Sequence, residues 1–483
     1  MKYAFGPFEL DALSRRLERQ GEPVAVPDRH IDILLLLVSR AGQVISKDAL
    51  VEAAWKGVAV TDNSLEQAIS TLRRVLGQMP AAPVYIETLA RRGYRFGAPV
   101  TRTSRRHSAE SLDALLAPHQ AFLEGRAALE SFDRNAVAHA CGVFEEIIRS
   151  APDYAPAHLG LANALALRFE STRADRPDRS ALATAVHHAA EACRLDPSSG
   201  EAWAALGFIS HQARDAERAV AAARRATALE GDNWRHHLRL AYVSWGEERL
   251  RAAHRALKLL PGLALAHWLA ATVHIARQAF AEAEQELIAG AEAQDRQDQS
   301  GRFTAVGLHL TLGLVRLAAA DAASAIDQFN RELAAASSAH IYAREACANA
   351  SCAVGALQLR GGATAGAVAA FDRALEFVPG HIVAMAARIA IAGDDGALTR
   401  MMLDARTAEL NESGAAIEAA LATATFEALS GRHPAAARLV HDTLSRTPPG
   451  NGGWGVPVDP LLDAAAHPEP WGPVLAILRN RAA

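Results

Sequence analysis

VTDNSLEQAISTLRRVLG, residues 60–77, has the spacing of an amphipathic helix. At about 100° per residue, Leu65, Ile69, Leu72 and Leu76 fall on one side, flanked by Ala68 and Val75. That side is a core-facing stripe. Ser64 and Gln67 stand three apart, as in a capping box, with Ser64 as the cap. Opposite the stripe stand Asn63, Gln67, Ser70 and Arg74, with Glu66, Thr71 and Arg73 on the shoulders. Most solvated helix faces carry Glu/Lys ladders. This one carries amides, hydroxyls and arginines, the groups that read base edges and grip phosphates. An ordinary solvated face is the competing reading, so the flanking sequence must decide.

Before this helix, alternation in YAFGPFELD and around EPVAV predicts short strands. PDRHIDILLLLVSRAG predicts a first helix, with Pro27 in its first turn, Asp28 at its positive end and Gly42 stopping it. VISKDALVEAAWKG predicts a second, capped by Ser46. After the third helix, VYIETLARRGYRFG predicts a hairpin with strands at 84–89 and 94–97 and a turn at Ala90–Gly93.

Strands, three helices and a basic hairpin is the order of a winged helix, an α+β fold. GQVISKDALVEAAW, VTDNSLEQAISTLRRVLG and YIETLARRGYRF, in that order and spacing, resemble the OmpR/PhoB-type effector domain, and most closely its receiver-less ToxR/CadC-like branch. The resemblance runs from Tyr3 to Phe96. It implies that the third helix lies in a major groove, with Asn63, Gln67, Ser70, Thr71 and Arg74 near base edges and Arg73 on phosphate. Gln and Asn pair bidentately with adenine, and Arg with guanine. It further implies backbone contacts from Ser46, Lys47, Trp55 and Thr88, and an Arg91–Arg92 wing against a minor groove. Ala90 stands where an arginine is usual in the response-regulator pattern. Trp55 also reads as a core-edge aromatic, and Arg95 as a salt-bridged strand residue. No receiver domain is expected ahead of these blocks.

Charge supports the reading. Residues 1–106 hold 16 Lys+Arg against 11 Asp+Glu, whereas the remainder holds 34 against 43. A basic head on an acidic body suits a head that meets a polyanion. The four cysteines, Cys141, Cys193, Cys347 and Cys352, form no Cys-x-x-Cys pair and read as buried free thiols in a reducing cytoplasm. The N-terminus has no signal-peptide pattern. The strongest apolar run, IDILLLLV, is far short of a membrane span.

TRTSRRHSAESLDALL reads as a polar, basic linker. Beyond it the chain is alanine-rich with helical period. Gly355 is followed by Ala367, Phe371, Ala374 and Pro379, and Gly313 by Ala325 and Phe329 at the same first two steps. Gly207 is followed by Ala219, Ala226 and Gly231, and EAWAALGFIS has a Trp-x-x-Leu-Gly spacing. These steps are similar to the tetratricopeptide repeat, two helices per unit, and imply about eight units stacked as an all-α solenoid. RFESTRADRPDRS at 168–180 reads as an insertion. In the repeat family, steps of −6, −3, +1 and +4 from the small residue line the inner face. Three successive units then direct Phe208, His211, Arg235, Tyr242, Trp245 and Trp268 toward one partner groove. Packing between neighbouring helices is the competing reading for those rings. The last stretch, with Trp454 and Trp471, reads as a cap over the exposed end of the stack.

The 19 histidines show no His-Glu-x-x-His motif, and the chain has no Walker loop, no Gly-x-Ser-x-Gly and no dinucleotide fingerprint. No catalytic residues, metal site or cofactor are expected. The expected organisation is a winged-helix DNA-binding domain at 1–100, a linker at 101–115, a repeat solenoid at 116–445 and a capping segment at 446–483. The expected function is a cytoplasmic, bacterial-type transcription regulator resembling winged-helix/repeat activators. Its expected partners are double-stranded DNA, a peptide, protein or small effector on the repeats, RNA polymerase and a second copy of the chain, with no membrane. The alternatives are a scaffold whose winged helix binds protein, and an enzyme with a regulatory head.

Overall fold

The computed structural model describes the chain apart from residues 1, 13, 56–61, 78–84, 91, 104–133, 173–177, 297–304, 335–341 and 393–396. The side chains of Trp55, Asp62 and Asn63 also lie outside the described residues. Two compact units result. The first comprises residues 1–166, 183–210 and 221–236, and the second 167–182, 211–220 and 237–483.

The first unit opens with strands β1 (Lys2–Phe5), β2 (Phe8–Asp11), β3 (Arg16–Arg19) and β4 (Glu22–Val24). They pair antiparallel in sequence order, with Lys2 opposite Asp11 and Phe5 opposite Phe8. Three helices follow, α1 (Asp28–Ser39), α2 (Lys47–Trp55) and α3 (Asp62–Val75), with the two-residue strand β5 (Val44–Ile45) between the first two. Strands β6 (Ile86–Leu89) and β7 (Gly93–Phe96) form the hairpin, and β5 joins its β7 edge. The stripe of α3 is buried as its spacing requires: Leu65, Ala68, Ile69, Leu72 and Leu76 are all nearly inaccessible. Leu34, Leu37 and Val38 of α1 and Leu50 of α2 are equally buried, and α3 packs against both helices. Phe5, Phe8, Tyr85 and Phe96 close that core under the sheet with ring centroids 5.1–6.2 Å apart.

Two local expectations are corrected. Helix α3 begins at Asp62, so Ser64 lies inside its first turn and is not the cap. A cap must hold non-helical backbone, and Ser64 does not. Thr101–Thr103, expected in the linker, is strand β8 and pairs with β1. Arg102 is thereby a structural residue: its guanidinium donates to the Ser39 carbonyl and lies 6.0 Å from the Tyr3 ring centroid. The rest of the linker, including Arg105 and Arg106, is outside the described residues.

The body is helical. Its helices are α4 (Arg134–Ser150), α5 (Ala155–Thr172), α6 (Arg179–Leu195), α7 (Gly200–Gln212), α8 (Ala216–Leu229), α9 (Trp234–Val243), α10 (Gly246–Leu259), α11 (Ala264–Ala276) and α12 (Phe280–Arg296). They continue as α13 (Leu308–Ala318), α14 (Ala322–Ala334), α15 (Ala343–Arg360), α16 (Thr364–Phe377), α17 (Ile382–Ala392), α18 (Ala397–Glu412), α19 (Ala416–Leu429), α20 (His433–Arg446) and α21 (Pro468–Arg481). The glycine-to-phenylalanine step seen in the sequence is a packing contact. A Cβ at Gly313 would stand 2.5 Å from the Phe329 ring, and one at Gly355 would stand 2.7 Å from Phe371. Both rings are fully buried, so each fills the space its glycine leaves. In the first unit Gly160 on α5 makes the same space for Phe144 on α4. All four cysteines are buried free thiols.

In the second unit the C-terminal segment does more than cover an end. Trp471 is fully buried among residues of α19 and α20, beside the last helical pair. Trp454 is elsewhere: its ring meets Trp268 of α11 edge to face, centroids 5.9 Å apart. Between them Val458 joins the core of α11–α13, and Leu461 joins that of α15–α17.

Candidate nucleic-acid interface

On α3 the residues expected to read DNA divide by environment. Gln67, Ser70 and Arg74 are exposed, and Thr71 is half-buried. Asn63 falls on the first turn of α3. Arg73 lies on the shoulder and turns toward the hairpin. Its Nε and Nη2 donate to the Ile86 carbonyl at 3.2 and 3.0 Å, and Nη2 also reaches the Thr88 hydroxyl at 2.6 Å. Two residues expected to grip the DNA backbone, Arg73 and Thr88, therefore bind each other here and fix β6 against α3.

At the start of α2 the Ser46 hydroxyl accepts the Ala49 amide at 3.2 Å, a side-chain cap as expected. Lys47 reaches Glu66 of α3 at 3.0 Å, with both side chains well exposed. An exposed pair of this kind is worth little in stability. In the hairpin Arg92 is exposed and Arg91 is outside the described residues. Arg95 pairs with Glu87 across the two strands, as the salt-bridge reading anticipated. Gly93 is obligatory at its place. Its φ is +121°, and a Cβ there would lie 2.0 Å from the Ile45 carbonyl oxygen, so only glycine lets β7 approach β5.

The exposed groups thus include an amide, a hydroxyl and a guanidinium on one face of α3, Lys47 beside it on α2, and Arg92 of the hairpin. Residues 21–96 match the family described as "Transcriptional regulatory protein, C terminal". The N-terminal domain is of the OmpR/PhoB type. Relatives include the transcriptional regulator HilA of Salmonella typhimurium, 35% identical over 103 residues covering 21% of this chain and 18% of HilA. The transcriptional activator CadC of Escherichia coli is 36% identical over 86 residues, 18% of this chain and 17% of CadC. The cholera toxin transcriptional activator of Vibrio cholerae is 37% identical over 109 residues, 22% of this chain and 37% of that protein. The likeness to each covers well under half of its length. Among solved structures, the DNA-binding domain of E. coli CadC is 31% identical, covering 21% of this chain and 96% of that one, with a TM-score of 0.20.

The residues expected to line a partner groove are distributed over both units. Phe208 and Arg235 belong to the first, and the Arg235 guanidinium stacks 4.8 Å from the Trp234 ring centroid. In the second unit His211 meets Tyr242 edge to face at 5.5 Å. Burial, then the charges of Arg249 and Arg214, push the His211 imidazole down to about 4, so it is neutral at physiological pH. Trp245 is not on the first helix of its repeat. Helix α9 ends at Val243, and Trp245 sits in extended conformation at the start of α10, stacked 4.6 Å from Arg249. Trp268 donates to the Thr311 hydroxyl at 2.9 Å and lies under Trp454, so it packs within the scaffold.

Arg249 is a residue the sequence did not single out. It is 2% exposed, yet it donates to the carbonyls of Ala241, Ser244 and Tyr242 and to the Thr272 hydroxyl at 2.9–3.1 Å. It satisfies the end of α9, whose last carbonyls have no helical partner. Burial pushes its guanidinium down to about 9, still charged at neutral pH. Among the described residues no group of three or more His, Cys, Asp or Glu is placed to hold a metal ion. No helix among them is long and apolar enough to cross a membrane.

Proposed function

We propose that the chain is a transcription regulator acting in the cytoplasm: residues 1–103 bind duplex DNA, and the repeats carry the effector or partner site. The role is recognition, not catalysis. The observation that carries it is the exposed row of Gln67, Ser70 and Arg74 on a helix whose opposite face is fully buried, inside a domain matching a transcription-regulator family. Arg74 supports guanine contact and Gln67 adenine contact, while Lys47 and Arg92 support phosphate contact. Asn63, Thr71, Trp55 and Arg91 complete the proposed surface. On the repeats, the His211–Tyr242 pair and Trp245 are the aromatic groups proposed to meet a peptide or small effector. RNA polymerase and a second copy of the chain are further proposed partners.

The test is DNA binding by the full chain on duplexes selected from a random pool. Affinity should fall steeply with salt, because phosphate contacts release counterions. Arg74→Ala should relax preference at one base position, by about 1–3 kcal/mol for a lost bidentate contact. Binding that is absent at low salt, or equal losses on selected and random DNA, would favour a protein-binding winged helix.

A further inference from the structure

Within the first unit the N-terminal end of α1 is not solvated. Its Arg29 guanidinium lies 3.0 Å from the Glu230 carboxylate and 3.5 Å from that of Asp232, both at the end of α8. The adjacent Asp28 carboxylate accepts the Ser199 hydroxyl at 2.8 Å, and Ser199 in turn caps α7 through the Ala202 amide. From β3, Arg16 donates to the Leu195 carbonyl that ends α6, at 2.8 Å. Glu230 is 3% exposed and also receives the Asn233 amide at 2.9 Å and His236 at 3.2 Å. These partners lie some 170–200 residues from the head in sequence, so nothing local brings them together.

We infer that the start of α1 is a docking surface by which the repeat helices α6–α8 hold the DNA-binding head in one fixed orientation, with its recognition face left open. The chemistry argues for a joint of defined geometry rather than adhesive strength. Buried ion pairs add little net stability, but leaving one partner alone is costly, so such a pair specifies one arrangement. A polar interface between domains is also the releasable kind. Burial, aided by the charges of Asp196 and Glu230, raises the Asp28 carboxyl to about 7 against Arg15 and the Ser199 hydrogen bond. Ionisation of Asp28 therefore opposes docking. Meanwhile Gln67, Ser70, Arg74 and Arg92 stay exposed while the head is docked. Any shift of the α8 end that moves Glu230 reaches the head through Arg29. Its consequence for regulation rests on the DNA-binding reading; the docking itself does not.

Hydrogen exchange on the full chain, without DNA, tests it. Arg29→Glu sets a carboxylate against Glu230 and Asp232. Peptides covering 28–39 and 195–210 should then exchange about tenfold faster or more, while the buried amides of α3 keep their protection. Unchanged exchange in both segments would overturn the docking. If Arg29→Glu also exposes α3, the head itself has unfolded, and Glu230→Gln decides from the other side: it must loosen 28–39 without touching α3. Loss of DNA binding with docking intact would instead count against the DNA-binding reading alone.

Discussion

Arg73 and Arg74 are neighbours with different work. The helical wheel separates Gln67, Ser70 and Arg74 from the buried stripe, because exposure on a helix follows from spacing alone. It cannot show that Arg73 bends to the Ile86 carbonyl, since that contact depends on where the hairpin folds back. The two substitutions should therefore diverge without DNA. Arg73→Ala should lower the melting point and speed exchange at 86–89, by about 1–2 kcal/mol for a charged hydrogen bond lost at a carbonyl. Arg74→Ala should leave both unchanged. Gly93→Ala should cost more than either, on the order of 2 kcal/mol or above, because a positive φ and a clash with Ile45 coincide. Equal melting of Gly93→Ala and wild type would remove that account of β5–β7 pairing.

At the scale of elements, the repeats were legible wherever a small residue faces a ring. The 16-residue step from Gly313 to Phe329 and from Gly355 to Phe371 appears in the sequence, and each pair touches. Helix ends were less legible. Steps counted from a small residue, Ala241, put Trp245 on a first helix, but α9 stops at Val243 and the chain turns at Gly246. What holds that turn is Arg249, whose buried guanidinium has no pattern in sequence. The start of α3 is displaced in the same way: a cap at Ser64 puts the first helical residue at Leu65, whereas the helix begins at Asp62. Gly355→Ala should destabilise by about 1–3 kcal/mol, as overpacking against a rigid ring does. Thermal melting checks it, and Gly361→Ala, where a Cβ meets only carbonyls beyond 3.5 Å, is the control.

At the scale of the whole molecule, the head and the first repeats share a unit through charged contacts that no periodicity encodes. Their pH response has a definite sign. Asp28 holds its proton to about 7 when docked but loses it near 4 when exposed, so its contribution weakens docking as pH rises through that window. Burial lowers the His30 imidazole, which works the other way and favours docking as pH rises through 6.5. The hydrogen bond and charge of His236, with Arg29 and Asn233, overcome burial and hold the Glu230 carboxyl at about 2, so it is ionised throughout the window. Arg15, Arg29, Asp196 and Asp232 also face the site. Only a difference isolates Asp28. Asp28→Asn keeps an acceptor for Ser199 and removes the titration. Relative to wild type, its 28–39 segment should be better protected at pH 8 and no better at pH 4. An identical difference at both pH values would mean that the Asp28 carboxyl does not titrate in the docked state.

The C-terminal segment sets a second long-range test, wholly within the second unit. Two tryptophans near the end of the chain looked alike in sequence, and both read as covers for the last repeat. Only Trp471 lies with α19 and α20; Trp454 lies on Trp268, roughly midway along the repeats. The segment is anchored along the repeats by more than rings. Arg360 binds Asp463 at 2.7 Å and the Pro460 carbonyl at 3.2 Å, and Arg277 donates to the Ala482 carbonyl at 2.8 Å. It is therefore part of the scaffold that the inner helices pack against. Trp454→Ala should lower the stability of the repeats by about 2–3 kcal/mol, somewhat below the cost of a fully buried aromatic. It should also uncover Trp268, shifting its fluorescence to longer wavelength, which the Trp268→Phe background identifies. DNA affinity of the full chain should not change. If Trp454→Ala melts like wild type with its emission unmoved, the segment is not packed on α11 in solution, and the Trp268 face is open to a partner after all.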